Sequence, residues 1–152
     1  MTTVRALTVR QPYADAIVYG PKRIENRPRP TKYRGLLLIH AGLATYEGLL
    51  PPADPDWPDE RGAVIGSAQL VGCHRATEGC CPEWGFRDSW HWELAAVQAL
   101  AVPLPARGAL GLWTPSEDIL RAIHQQHCPT RDETRSDSRL GCQPDTAHGS
   151  EP

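Results

Sequence analysis

Long apolar runs are missing from this sequence. No stretch approaches the roughly 20 consecutive apolar residues that a membrane-spanning helix needs, so we expect no membrane segment. The opening residues, MTTVRALTVRQ, also lack the apolar core of a secretory signal peptide. We therefore expect a cytoplasmic protein that does not associate with membranes.

Several signatures of catalysis and cofactor binding are absent as well. The chain has no P-loop, no dinucleotide-binding glycine motif and no G-x-S-x-G nucleophile motif. Its five cysteines are odd in number and irregularly spaced, so reduced thiols are expected. Histidines flank some of them, but the spacing fits no zinc finger, and adjacent cysteines rarely bind one tetrahedral ion. We therefore expect no metal and no cofactor. The cysteines with neighbouring histidines form two clusters along the chain, which are Cys73-His74 with Cys80-Cys81, and His124 with His127 and Cys128.

Positive charge is scarce outside the N-terminal part of the chain. Residues 1–40 carry eight basic and two acidic side chains, whereas the rest carries eight basic and sixteen acidic ones. A surface that faces a polyanion is one explanation of this asymmetry, and a solvated basic face without a ligand is the other. The charge count alone does not separate them.

Periodicity and turn residues predict a mixed fold for residues 1–127. Strands or extended segments are predicted at 4–9, 23–27, 35–41, 62–76 and 109–115, and helices at 12–20, 43–50 and 116–127. Residues 90–104 begin as a strand, but their Ala-rich middle is compatible with a helix. This order predicts an α+β fold, a small mixed β-barrel with a few short helices. Residues 128–152 are polar and are expected to form a disordered tail.

The segment GPKRIENRPRPTKYRG, residues 20–35, concentrates six basic residues around the single acid Glu25. If residues 23–27 are extended, Arg23, Glu25 and Arg27 share one face because strand side chains alternate. In such a group the arginines can hold an anion, while the carboxylate accepts a hydrogen bond from a base N–H or moves a proton. A purely structural salt-bridge network is the equally weighted alternative.

Two further features are compatible with nucleic-acid binding. Arg10 and Gln11 precede a predicted helix start, where a glutamine can read a base edge or simply cap the helix. Aromatic residues gather at 84–92, where one side chain could stack on a base, although aromatics at strand spacing are more often core.

Three segments of the chain together resemble the activating signal cointegrator homology (ASCH) domain. Residues 7–42 contain Q-P-Y-A, then G-x-K-x-x-E-x-R, then R-G-x-L-x-I-x-A. The strand GAVIGSAQLVGC at 62–73 and the segment PARGALGLW at 105–113 are similar to the later parts of the domain. The resemblance implies a PUA-like fold with a cleft between the first helix and the barrel. Lys22, Glu25 and Arg27 would line that cleft, with Arg10, Gln11 and Arg34 near its rim.

The resemblance also implies possible activities. Some small bacterial relatives are amidohydrolases that remove the acetyl group from N4-acetylcytidine, with a lysine, a threonine three residues later and a distant glutamate. Lys22 matches the lysine, but Glu25 stands at the threonine position and cannot serve as a hydroxyl nucleophile. A few relatives cleave RNA, for which Glu25 could be the base and Lys22 or Arg27 the cationic stabiliser.

The leading hypothesis is a nucleic-acid-binding module, with RNA favoured over DNA or a free nucleoside as the partner. One alternative is a hydrolase acting on an acylated cytidine or on RNA, with Lys22 and Glu25 as catalytic residues. A protein-interaction scaffold is the second alternative. The predicted nucleic-acid contacts are Arg10, Gln11, Lys22, Arg23, Glu25, Arg27, Arg29, Lys32, Arg34 and Trp92.

Overall fold

The computed structural model describes residues 3–48 and 53–127, so the predicted tail at 128–152 lies outside the described residues. The chain forms six strands and two helices in an α+β arrangement, as the sequence predicts. No helix in the described ranges is long and apolar enough to cross a membrane. The elements are β1 Arg5–Gln11, α1 Tyr13–Val18, β2 Ile24–Arg27, β3 Gly35–Thr45, β4 Ala63–Arg75, β5 Trp90–Pro105, β6 Leu112–Trp113 and α2 Glu117–His127.

All six strands belong to one mixed sheet with the order β2-β5-β4-β3-β1-β6. β1 pairs in parallel with β3, and the other neighbouring strands are antiparallel. Among the described residues, β2 and β6 form the two edges, so the sheet is curved but not closed into a barrel. Register shifts bend the long β4–β5 ribbon at three places, which is the usual effect of β-bulges.

The apolar core has two parts. The larger part lies under α1, where Ile17 is fully buried against side chains of the central strands, including Ile39 and Ile65. The smaller part lies under α2, where Ile123 packs with Leu38 and Leu100. Helix α2 begins after Ser116, whose hydroxyl accepts a hydrogen bond from the Ile119 N–H at 3.3 Å, as expected for an N-cap.

The helix predicted at 43–50 is wrong, and for residues 90–104 the structure decides between the strand and the helix that the sequence left open. Strand β3 continues to Thr45, which pairs with Gln11 of β1, and the Tyr46 N–H donates to the Gln11 carbonyl at 2.8 Å. The Ala-rich middle of residues 90–104 is strand, because β4 offers a ladder along β5. In both places hydrogen bonds to a neighbouring strand outweigh the local helix preference.

Candidate binding cleft

A buried ion pair links the turn after α1 to strand β2. Lys22 is fully buried, and its Nζ donates to Glu25 Oε2 at 2.8 Å and to the carbonyl oxygen of Ile24. The same ammonium lies 5.1 Å from the centre of the Tyr13 ring, in a cation–π position. On its other side, Glu25 Oε1 lies 3.2 Å from Arg27 Nε. Glu25 thus sits between one buried and one partly exposed cation.

Arg23 is not a partner of Glu25. Its Nη1 donates to the carbonyl oxygens of Ile17, Gly20 and Lys22, at 2.9–3.1 Å. These oxygens lie at the end of α1 and in the following turn, where helix carbonyls lack intrahelical donors. The alternation argument is therefore wrong about Arg23, whose side chain closes the helix end, while Lys22 takes its expected place beside the carboxylate.

An open cleft of about 400 Å³ lies next to this network. Glu25 and Arg27 line it from β2, and Tyr13 lines it from α1. Tyr46 and Phe86 contribute two more rings, whose centres lie 6.0 Å apart and 5.1 Å and 6.1 Å from that of Tyr13. The volume is within the range of small-molecule sites, and the lining joins aromatic faces to a few charged groups. The other lining residues are Thr8, Val9, Arg10, Asn26, Pro28, Gly42, Leu43, Ala44, Ala109, Leu110 and Gly111.

Large apolar side chains are exposed around the cleft. Leu110 is 100% exposed, Leu43 is 80% exposed and Phe86 is 37% exposed. Three of the six large apolar residues exposed in the described part of the chain thus lie at this one place. Exposed apolar side chains that collect at a cleft indicate a surface that contacts another molecule.

Two buried polar atoms at the cleft have no hydrogen-bond partner among the described residues. They are the Tyr13 hydroxyl and Arg27 Nε, which faces Glu25 without hydrogen-bond geometry. Burial, with the nearby Tyr46 and Glu25, raises the pKa of Tyr13 to about 12, so its hydroxyl is neutral at physiological pH. Unsatisfied buried polar groups are rare in folded proteins, and in a binding cleft a polar ligand can satisfy them.

Lys22 and Arg23, two of the ten predicted contact residues, do not line the cleft: Lys22 is fully buried, and Arg23 is bonded to the end of α1. The other eight fall into three groups. Arg10, Glu25 and Arg27 line the cleft. Gln11 and Trp92 are buried and internally bonded: the Gln11 amide group bonds Asp15 and the Glu60 carbonyl, and Trp92 Nε1 donates to the Arg29 carbonyl. The structure therefore gives Gln11 and Trp92 no surface on which to read or stack a base.

The last three predicted contacts lie on the loop between β2 and β3. Arg29, Lys32 and Arg34 are exposed but do not line the cleft. Arg34 Nη1 donates to the carbonyl oxygens of Thr31 and Tyr33, which holds that side chain against its own loop. These cations add to the positive field around the cleft without facing its interior.

Sequence reasoning missed the aromatic part of the cleft. Tyr13 belongs to the face of α1 that packs on the core, and Tyr46 lies in the segment 43–50, for which the sequence predicts a helix. Phe86 belongs to the aromatic group at 84–92, which gave the available signal. Its position depends on Asn26, whose side chain accepts from the Phe86 N–H at 2.7 Å and donates to the Trp84 carbonyl at 2.8 Å.

Comparisons with known proteins fix the family. The sequence profile of the ASCH domain matches residues 7–104. The chain belongs to the ASCH domain family. A tyrosine-to-phenylalanine mutant of the ASCH protein of Zymomonas mobilis has a similar structure, with a TM-score of 0.57 at 15% identity over 80% of this chain and 96% of that one. The unmutated ASCH protein of Zymomonas mobilis has a TM-score of 0.52 at 16% identity, over 80% of this chain and 93% of that one.

These identities show a shared fold and nothing more specific. The ASCH membership and the mixed six-stranded sheet agree with the PUA-like fold that the sequence resemblance implies. A search of curated proteins finds no match to this sequence.

Proposed function

We propose that this ASCH domain binds single-stranded RNA by accepting one unstacked base in the cleft between α1 and the sheet. The observation that carries this proposal is the neutral, unpartnered Tyr13 hydroxyl, placed beside a carboxylate and among three aromatic rings. An unstacked base presents two aromatic faces and an edge of donors and acceptors, which matches such a lining. ASCH domains have a PUA-like fold that is often linked to RNA binding, and this supports the choice of polymer.

The charges of the cleft support a phosphate-bearing ligand. Arg10 is exposed, lines the cleft and makes no hydrogen bond or ion pair with the described residues. Arg27 is partly exposed, and its Nη2 donates to the Thr8 carbonyl at 2.9 Å, which fixes the direction of the guanidinium. Two arginines against one carboxylate leave the opening positive, and arginine suits contacts to phosphate oxygens.

The stacking part of the proposal is tested with Phe86→Ala in a fluorescence anisotropy titration of a labelled single-stranded RNA of mixed sequence. Base–aromatic stacking is worth about 1–3 kcal/mol per base, so we expect affinity to fall about 5- to 150-fold. Tyr19→Ala is the matched control, because Tyr19 is 39% exposed, slightly more than Phe86 at 37%, and does not line the cleft. Equal affinities for the two variants would overturn the stacking role.

The electrostatic part is tested with Arg10→Ala across a salt series. Loss of one phosphate contact to a single strand should reduce the slope of log K against log[salt] by about 0.7. Arg121→Ala is the control, since Arg121 is an exposed arginine on α2 that pairs only with Asp118 among the described residues. An unchanged slope for Arg10→Ala, or wild-type RNA binding that does not respond to salt, would contradict the proposal.

Hydrolysis of an acylated cytidine or of RNA is the second candidate function. The 2.8 Å contact between Lys22 and Glu25 favours it, because it holds a buried cation against the carboxylate that lines the cleft. Glu25 would accept a proton from water as the water oxygen attacks the acyl carbonyl. The C–N bond then breaks, and the nucleoside amine leaves with a proton as the carboxylic acid is released.

Turnover is tested by incubating wild-type protein with N4-acetylcytidine and with RNA, and separating the products chromatographically. The hydrolase reading predicts cytidine and acetate, or defined RNA fragments. Wild-type protein that binds RNA but releases no product from either substrate would leave binding as the function. A cleft packed shut by side chains would favour the scaffold alternative, and the open cleft of about 400 Å³ gives it no such support.

A further inference from the structure

Four potential metal ligands meet on the side of the sheet where β4 and β5 are joined. His74 lies in β4, His91 lies in β5, and Cys80 and Cys81 lie in the loop between the two strands. Each residue directs one ligand atom inward, and these four atoms lie within 4.8 Å of one another. We propose that His74, Cys80, Cys81 and His91 bind one zinc ion, in a structural site that anchors the loop carrying Phe86.

The distances agree with tetrahedral coordination. Cys80 Sγ lies 3.5 Å from His91 Nδ1, and Cys81 Sγ lies 3.5 Å from His74 Nε2. With Zn–S near 2.3 Å and Zn–N near 2.05 Å, tetrahedral angles separate a ligand sulfur from a ligand nitrogen by about 3.5 Å. Two of the six edges of the tetrahedron therefore already have the required length. Two thiolates and two imidazoles form a common ligand set of structural zinc.

Both histidines are oriented by their second ring nitrogen. His91 Nε2 donates to the Phe86 carbonyl at 2.8 Å, which directs the lone pair of Nδ1 towards Cys80. His74 Nδ1 lies 3.3 Å from Glu93 Oε2, which directs the lone pair of Nε2 towards Cys81. Zinc-binding histidines characteristically donate their other N–H to a carbonyl or a carboxylate, and this site has one of each.

The loop geometry explains how adjacent cysteines can face one ion. Cys81 has a φ of 49°, in the left-handed region, so the chain reverses between the two thiols instead of sending them to opposite sides. The Thr77 N–H donates to Cys80 Sγ at 3.2 Å, a contact that fixes the position of this sulfur beside His91. Cys80 and His91 also line a surface cleft of about 490 Å³, through which an ion can reach the site.

The proposal reverses the sequence expectation of no metal, which rested on spacing along the chain. The paired strands β4 and β5 bring His74 opposite His91, with ring centres 5.1 Å apart. The five residues between His74 and Cys80, and the adjacent cysteines, match no linear zinc-finger pattern, so the set is recognisable only after the strands are paired.

The first test is the metal content of untagged protein, measured by inductively coupled plasma mass spectrometry. We expect one zinc per chain. Removal with a chelator followed by titration with Co²⁺ should give one equivalent of a tetrahedral complex, with d–d bands in the visible and thiolate charge-transfer bands in the near ultraviolet. Metal-free protein that also fails to give these bands with Co²⁺ would overturn the proposal.

Variants identify the ligands. Cys80→Ser combined with Cys81→Ser should abolish the cobalt charge-transfer bands. A control chain with Cys73→Ser, Cys128→Ser and Cys142→Ser, which removes the other three thiols, should keep them. Bands that remain in the Cys80→Ser, Cys81→Ser variant but disappear in the control chain would show that the metal binds at the other cysteines.

Glu93→Gln leaves all four ligands in place, so it tests the site without the risk that a missing ligand prevents folding. It should lower zinc affinity about 10- to 100-fold in competition with a chromogenic chelator, because Glu93 orients His74. Glu83→Gln, at an exposed acid of the same loop, is its control. Equal affinities for the two variants would overturn the orienting role of Glu93 at this site.

Discussion

Neutralising Glu25 should destabilise the protein strongly, because Lys22 has no access to water. Lys22 Nζ lies 2.8 Å from Glu25 Oε2, which corresponds to an attraction of about 6 kcal/mol at an effective dielectric constant of about 20. Part of that attraction offsets the desolvation of the pair, so the net loss is smaller. Removing one partner of a buried pair typically costs about 3–5 kcal/mol, and we expect this loss for Glu25→Gln.

Lys22→Met should relieve most of that penalty when it is added to Glu25→Gln. Methionine has nearly the length of lysine and carries no charge, so the double variant leaves no unpaired ammonium in the core. It still removes the donor to the Ile24 carbonyl and weakens the contact between Glu25 and Arg27. We therefore expect the double variant to lie about 1–3 kcal/mol below wild type, and thus to be more stable than Glu25→Gln alone.

The assay is urea unfolding followed by tryptophan fluorescence, with linear extrapolation to water for all four members of the cycle. The matched control is Asp118→Asn with Arg121→Met, which removes an exposed ion pair of the same i, i+3 spacing. The Arg121 side chain is 66% exposed and that of Asp118 is 89% exposed, so the coupling free energy of this pair should stay below about 0.5 kcal/mol. A loss under about 1 kcal/mol for Glu25→Gln, or no rescue by Lys22→Met, would refute the reasoning.

Three further predictions concern stability elsewhere. The pKa of Tyr13 rises from 10.0 to about 12 on folding, so between these pH values the folded state holds more protons than the unfolded state. The free energy of unfolding of wild type should therefore fall by about 2 kcal/mol as the pH rises through this range. Chemical denaturation of Tyr13→Phe should show a smaller fall. Gln11→Ala removes buried hydrogen bonds, so its free energy of unfolding in urea should fall by about 1–3 kcal/mol, while its RNA affinity should change less than about twofold. A loss of RNA affinity without a loss of stability would instead support a contact between Gln11 and a base. Gly66→Ala would place a Cβ 2.6 Å from the Gln98 carbonyl oxygen and 2.8 Å from a Val18 methyl, so its melting temperature should fall by several degrees, and an unchanged value would contradict this packing.

The order of elements could be predicted from the sequence because local signals agree with the fold there. The apolar stripe of α1 has the helical period, and the continuous apolar run of β3 is typical of a strand buried on both faces. Ser116 lies at the start of the helix predicted at 116–127 and caps it. The helix predicted at 43–50 was wrong, and the Ala-rich part of β5 was left open between strand and helix. In both segments the local preference is weak and a neighbouring strand decides the outcome. Whether the curved sheet closes is likewise a property of strand pairing, which no local pattern contains.

The candidate site was predictable only in part, for a related reason. The family resemblance placed Lys22, Glu25 and Arg27 together; Glu25 and Arg27 do line the cleft, and the fully buried Lys22 bonds Glu25. Spacing could not show that Arg23 turns back to the carbonyl oxygens at the end of α1, or that Trp92 is fully occupied by the core and the Arg29 carbonyl. Burial and competition for backbone acceptors decide such cases, and both are set by tertiary contacts.

The proposed cleft and the proposed zinc site meet in the loop between β4 and β5. Phe86 lines the cleft, while its carbonyl oxygen accepts from the ring of His91 and its N–H donates to Asn26. Two backbone bonds on the same residue therefore tie the stacking ring to the metal ligands on one side and to β2 on the other. A single isolated bond would leave Phe86 free to swing away, because its ring is more than one-third exposed. An ion that fixes His91 thus also fixes the aromatic wall, so metal binding and base binding are expected to be coupled in this ASCH domain.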